Sequence, residues 1–183
     1  MTKARDLANG GFGLVLIKPS TVVNGTDNGK GTVSFSAASS VSLNGIFNST
    51  YTNYQVVLNC ASATSQVELL FRYRASGSDA SGANYYSQLL TVNGTSVAGE
   101  RVSDATSGTM AQLQAQENGI IAYFFKPFEA VRTMMTSVSN NHVDNIRFRN
   151  VGAMHSLSTS YDGLTLTCSQ NITGTISVYG INK

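Results

Sequence analysis

The chain has 183 residues, a formal net charge of +2 and only 12% charged residues, which makes it one domain-sized unit able to bury roughly 70% of its unfolded surface in a single core. Its Lys and Arg are too few and too scattered for a nucleic-acid footprint, and no apolar run reaches the roughly 18 residues of a membrane-spanning helix. Ser, Thr, Asn and Gly make up roughly 40% of the chain, so solubility rests on neutral side chains that favour turns and strand faces over helix interiors.

From the N-terminus, MTKARDLANGG has neither the apolar stretch nor the cleavage site of a secretory leader. Thr2 as a cap and Gly10 as a stop allow one or two helical turns, too few to persist without a docking partner. Period two then takes over. Val33 and Phe35 share a phase in GTVSFSA, as do Val41 and Leu43 in SVSLNGIF, and YQVVLNC sets Tyr54, Val56, Leu58 and Cys60 on one face. VELLFRYRA, SQLLTV, IIAYFF, NIRFRNVGAM, LTLTC and TISVY bring the total to about nine or ten short strands. SGSDASGAN has the composition of a flexible loop. FEAVRTMMTSV admits a helix, but Pro127 suits a hairpin corner and Val131, Thr133 and Thr136 are β-branched, so it reads as a strand.

Asn24-Gly25, Asn44-Gly45, Asn93-Gly94 and Asn118-Gly119 suit turn positions that need positive φ. The final TISVYGINK carries a strand almost to Lys183, where chains ordinarily fray, so it must be held by ladder bonds. No βα alternation is present. The expected fold is therefore all-β, a jelly-roll-like antiparallel β-sandwich over residues 14–183 behind a short N-terminal arm, residues 1–13.

Residues with chemistry are sparse. His142 and His155 are the only histidines, and His142 with Asp144 in SNNHVDN falls short of the three or four convergent ligands a metal needs. No G-x-S-x-G elbow accompanies the serines, and the ten carboxylates are scattered rather than paired. The expectation is a protein with no enzymatic activity, cofactor or metal. Cys60 and Cys168 fall on the inward phase and read as small buried hydrophobes; a disulfide between them requires a proximity that sequence does not give. Four N-x-S/T sequons, at Asn24, Asn48, Asn93 and Asn171, are what this composition yields by chance. Tyr51, Tyr54, Tyr85 and Tyr86 beside Asn53 and Asn84 have the chemistry of sugar-stacking surfaces, although alternate tyrosines on such sheets are more often core or subunit interface.

GTVSFSAASSVSLNGIFNSTYTNYQVVLN, LLFRYRASGSDASGANYYSQ, STSYDGLTL and ITGTISVYGINK, in that order, resemble a β-sandwich domain recurrent in tailed-bacteriophage virion proteins, often at the C-terminal end of tail fibres and other appendages. The matching pattern residues include Val41, Leu43, Phe47, Tyr51, Tyr54, Arg72, Arg74, Tyr86, Tyr161, Gly163, Gly174, Tyr179 and Gly180, and the segment from about 95 to 150 matches least. The resemblance implies a homotrimeric virion component whose sheet edges are covered by neighbouring subunits. It implies a surface appendage of tail-fibre or capsid-fibre type that contacts host surface glycan; the alternative is a head decoration protein that cements the capsid lattice. On this reading Lys3, Arg5, Leu7, Gly10 and Gly11 form the attachment arm, which inserts into another capsid or tail protein. Receptor contact falls to the loops SGSDASGANYY and SNNHVDN at one end of the sandwich, through Asp79, Asn84, Tyr85, Asn141 and His142.

Overall fold

The computed structural model describes residues 13–62, 65–142 (His142 as backbone alone) and 146–181. The described residues contain fourteen strands and no helix. Ten strands are long: β4 (Thr32–Asn44), β5 (Asn53–Ser62), β6 (Val67–Ala75), β8 (Tyr85–Asn93), β9 (Ser96–Ala105), β10 (Gly108–Leu113), β11 (Asn118–Phe125), β12 (Thr133–His142), β13 (Ile146–His155) and β14 (Gly163–Ile181). The other four, β1 (Leu14–Leu16), β2 (Thr21–Val23), β3 (Thr26–Asp27) and β7 (Ser78–Asp79), are short flanking pieces. Of FEAVRTMMTSV, residues 133–138 belong to strand β12, with the β-branched Thr133 and Thr136, whereas 128–131, Val131 among them, are turn and bend residues ahead of it.

All strands belong to one antiparallel sheet in the order β10-β6-β14-β5-β11-β12-β13-β8-β9. The nineteen-residue β14 organises it. Along one side β14 pairs with β4 and then β1; along the other it pairs with β6 over Gly163–Cys168 and with β5 over Ile172–Ile181. The handover coincides with an irregularity. Thr167 and Ile172 oppose Ser40 and Ala38, so the ladder is bulged, and neighbouring Ala37 takes a φ of 48°. The chain end is thus an interior strand, bonded on both sides up to Ile181.

β10 pairs with β6 alone yet packs against β8, β12 and β13, so the sheet folds over itself. Its terminal strand β10 lies across the inner surface of β8, β12 and β13: Ser137 Oγ donates to Met110 O (2.5 Å), Asn141 Nδ2 to Gln112 O (2.7 Å) and Thr109 N to Ser87 Oγ (3.1 Å). Arg149 of β13 closes the same gap, reaching Glu68 on β6 at 2.5 Å. The free edge, β9, carries Glu100, Arg101 and Asp104, charges that discourage edge-to-edge pairing.

The enclosed core is aromatic. Phe47, Tyr54, Phe71, Tyr73, Tyr85, Phe124 and Tyr161 are buried, with Tyr73 stacked on Tyr161 at 4.9 Å and Phe71 edge-on to Phe124 at 5.4 Å. The phases read from Val33, Phe35, Val41, Leu43 and the Tyr54–Cys60 run are all inward. Three of the four Asn-Gly pairs hold a positive φ, at Asn24, Gly45 and Gly94. Asn118-Gly119 instead opens β11. There the Asn118 amide donates to the carbonyls of Cys60, Gln114 and Gln116, and its oxygen accepts from Gln114 N, so one side chain replaces a turn's backbone bonds.

His155 is fully buried, with Nδ1 3.0 Å from the Tyr161 hydroxyl, and burial lowers its pKa below the ordinary 6.5. Below that value the unfolded chain takes up a proton that the folded chain refuses. The contribution is therefore neutral above pH 6.5 and turns destabilising as pH falls, by at most about 1.4 kcal/mol per pH unit. Melting temperature should drop between pH 6.5 and 5 in the native protein, and the drop should be smaller in His155→Phe.

Candidate interaction surface

The residues expected to contact a receptor do not assemble. β8 and β13 run antiparallel, with Asn93 opposite Arg147 and Tyr85 opposite His155. The segment preceding Tyr85 and the one preceding Ile146 therefore sit at opposite ends of the sheet, about 30 Å apart at 3.3 Å per residue. Tyr85 is in the core rather than on a loop: its hydroxyl donates to Ala80 O (2.8 Å) and accepts from Tyr73 N (3.0 Å), which satisfies the one polar atom that would otherwise keep it at the surface. Asn141 is likewise buried on Gln112 O.

Asp79 is part-exposed but held by Arg74, which also donates to Thr165 Oγ1 (2.8 Å), Asn44 Oδ1 (2.8 Å), Ser42 Oγ (3.1 Å) and the Gly77 carbonyl. Asn84 is half-buried, its carbonyl accepting from Ser156 N at 2.9 Å. The His142 side chain and the arm residues Lys3, Arg5, Leu7, Gly10 and Gly11 lie outside the described residues. Cys60 and Cys168 are both free and buried; burial pushes the Cys60 thiol up to about 12, with Cys168 beside it adding to the rise.

A different surface stands out. Its members are the outward, alternate positions from Asn53 to Asn59 in β5, Gly119 to Phe125 in β11, Met134 to Asn140 in β12, Phe148 to Met154 in β13, Tyr86 to Val92 in β8, and Thr175 to Ile181 in β14. These are four residues from each of six strands, and none is Asp, Glu, Lys or Arg. A chain with 12% charged residues would place about three charges among so many positions. The apolar members are large and open to solvent: Met134 is 55% exposed, Ile121 43% and Phe125 40%. Charge depletion with Tyr, Phe and Met enrichment is the composition of an interface centre.

Relief on this face is specific. Ile121, Tyr123 and Phe125 form a ridge along β11, and Gln55 donates to the Tyr123 hydroxyl at 2.9 Å, steadying it. Two strands away, Gly152 leaves a gap between Thr136 and Gln88. Met134, Met154, Phe125 and Tyr86, with Arg101 from β9, help wall the resulting notch of about 400 Å³. The sequence signal for this face was the unbroken apolar run IIAYFF. A half-exposed strand alternates; one covered on both faces reads continuously.

A second concavity, about 590 Å³, lies at the β4–β14 bulge and is lined by neutral polar groups, among them Asn24, Ser36, Ser39 and Asn171. Among the described residues no three His, Cys, Asp or Glu side chains converge as metal ligands.

No family model matches the chain, and no curated protein matches it. Among solved structures it is similar to the SPRY domain of human HERC1, at 9% identity and a TM-score of 0.32 over 86% of this chain and 98% of that one. It is similar also to the CBM2 module of the evolved Dit of Lactobacillus casei BL23 phage J-1, at 11% identity and a TM-score of 0.29 over 91% and 82%. Domain 4 of AbnA, a GH43 extracellular arabinanase from Geobacillus stearothermophilus in complex with arabinotriose, gives 9% identity and a TM-score of 0.29 over 96% and 86%. At these TM-scores none of the three bears on what this chain does.

Proposed function

We propose that the protein is a non-enzymatic structural subunit of a tailed-bacteriophage virion, a homotrimer displayed as a surface appendage of the tail-fibre or capsid-fibre type. The sequence pattern from Val41 to Gly180 supports the virion assignment. The observation that carries an assembly role is the uncharged, partly apolar outer face of β14, β5, β11, β12, β13 and β8. The folded-over sheet supports a jelly-roll-like sandwich as the repeating body. In this reading residues 1–13 attach the subunit to another capsid or tail protein, and host surface carbohydrate is contacted at the neutral polar concavity near Asn24 and Asn171 rather than by two loops at opposite ends. Its amide and hydroxyl groups suit hydrogen bonding to uncharged sugars.

The same flat face favours a second reading, head decoration, in which the sheet lies against capsid subunits. Electron microscopy of particles carrying a labelled copy separates the two. Density on the tail or at fibre tips is expected for an appendage, density spread over the capsid lattice assigns decoration, and particles without the subunit contradict both.

A further inference from the structure

We infer that the outer face is where a second copy of this chain docks, the β11 ridge of one copy entering the Gly152 notch of the next. The inference deepens the homotrimer reading above and rests on it. Size comes first. Six strands at about 4.8 Å spacing and seven residues at about 3.3 Å give a planar footprint on the order of 500 Å², before side-chain relief is counted. That is more than half of the roughly 800 Å² per partner of a specific interface.

Charge comes second. The twenty-four positions of the face carry no formal charge, so the face offers no charge pattern to an acidic or basic partner; the one charged residue lining the notch is Arg101, exposed on the adjoining strand β9. Shape decides the arrangement. The ridge crest (Ile121, Tyr123) and the notch over Gly152 share one face two strands apart, about 10 Å, with Phe125 at the end of the ridge forming a wall of the notch. Each copy therefore presents a ridge on one half and a notch on the other; with three copies set face-inward around an axis along the strands, the ridge half of each meets the notch half of the next, a head-to-tail contact that closes into a ring.

Two substitutions test this without touching the subunit's own packing. A Cβ at Gly152 would meet nothing within 4 Å, so Gly152→Trp fills the notch from outside the core. Ile121→Lys puts a charge on the ridge at a position already open to solvent. Sedimentation velocity of the full chain at micromolar concentration should show a trimer for the native protein. Each variant should sediment as a monomer, at least about 30-fold weaker in association, with unchanged far-UV circular dichroism and a melting temperature below the native trimer's and independent of protein concentration.

Mixing the two variants restores one native ridge facing one native notch, so a one-to-one dimer that cannot close is expected. A native trimer that persists in both variants would overturn the docking face while leaving the homotrimer reading intact. A native protein that stays monomeric would overturn both. A native monomer whose incorporation into particles is lost in Ile121→Lys would assign the face to a different virion protein and reject the second copy.

Discussion

Replacing Gly174 with alanine is expected to remove about 3 kcal/mol of folding free energy, and valine more, enough to leave a marginal domain largely unfolded. Gly174 lies in β14 opposite Cys60 on one side and Phe35 on the other, beside the register shift where β14 changes partners. A Cβ there would stand 2.2 Å from Asn59 O, 2.6 Å from Cys60 Cβ and 2.7 Å from Cys60 Cα. These are backbone or backbone-adjacent atoms of β5, which is pinned between β14 and β11. No side-chain rotation relieves the clash, so the two strands must separate. Urea unfolding of Gly174→Ala measures the cost directly, and a loss under about 1 kcal/mol would mean the ladder slides instead.

Arg74→Ala should be comparably severe. The guanidinium is buried and binds Asp79, Thr165, Ser42, Asn44 and the Gly77 carbonyl, joining β6 to β4, β7 and β14. Deleting one partner of a buried ion pair costs about 3–5 kcal/mol. Asp79 is a quarter exposed, and water reaches the carboxylate left behind, so the lower end, about 3 kcal/mol, is expected. Combining Arg74→Met with Asp79→Leu should recover part of the loss, because no charge is then stranded. A single Arg74→Ala as stable as the native protein would reduce the cluster to decoration.

Close approach constrains two further glycines in the same way. Gly180 must be glycine because the Tyr51 ring lies over it, 2.4 Å from where a Cβ would be, and Gly163 because Leu43 O stands 2.5 Å away. What local sequence could reveal was phase: the inward sets Tyr54–Cys60 and Leu164–Cys168 follow from alternation, since period two fixes which side chains share a face. What it could not reveal was non-local pairing. That β14 serves β6 and then β5, and that β13 pairs with β8 so that the two polar loops lie at opposite ends, depends on contacts far apart in sequence.

Tyr85 takes the inward phase for a different reason. YYSQLL fits either phase, and only the carbonyl of Ala80 and the Tyr73 amide, both within hydrogen-bond reach of its hydroxyl, make the inward phase affordable. The outer face was legible in part, in the doubly apolar IIAYFF. Its extent across six strands needed the register, because Phe125, Met134, Met154 and Tyr86 line up in one row only through the ladder.

Coverage of this outer face in the assembled protein is read most directly by methionine oxidation. Met134 and Met135 are consecutive, one outward and 55% exposed, the other inward and 2% exposed, and Met110 is fully buried. Brief treatment of the native assembly with dilute hydrogen peroxide, followed by peptide mass spectrometry, should find Met134 protected to the level of Met135 and Met110, and oxidised rapidly in the dissociated Ile121→Lys variant. Rapid oxidation of Met134 in the native assembly, with Met135 and Met110 spared, would contradict the account.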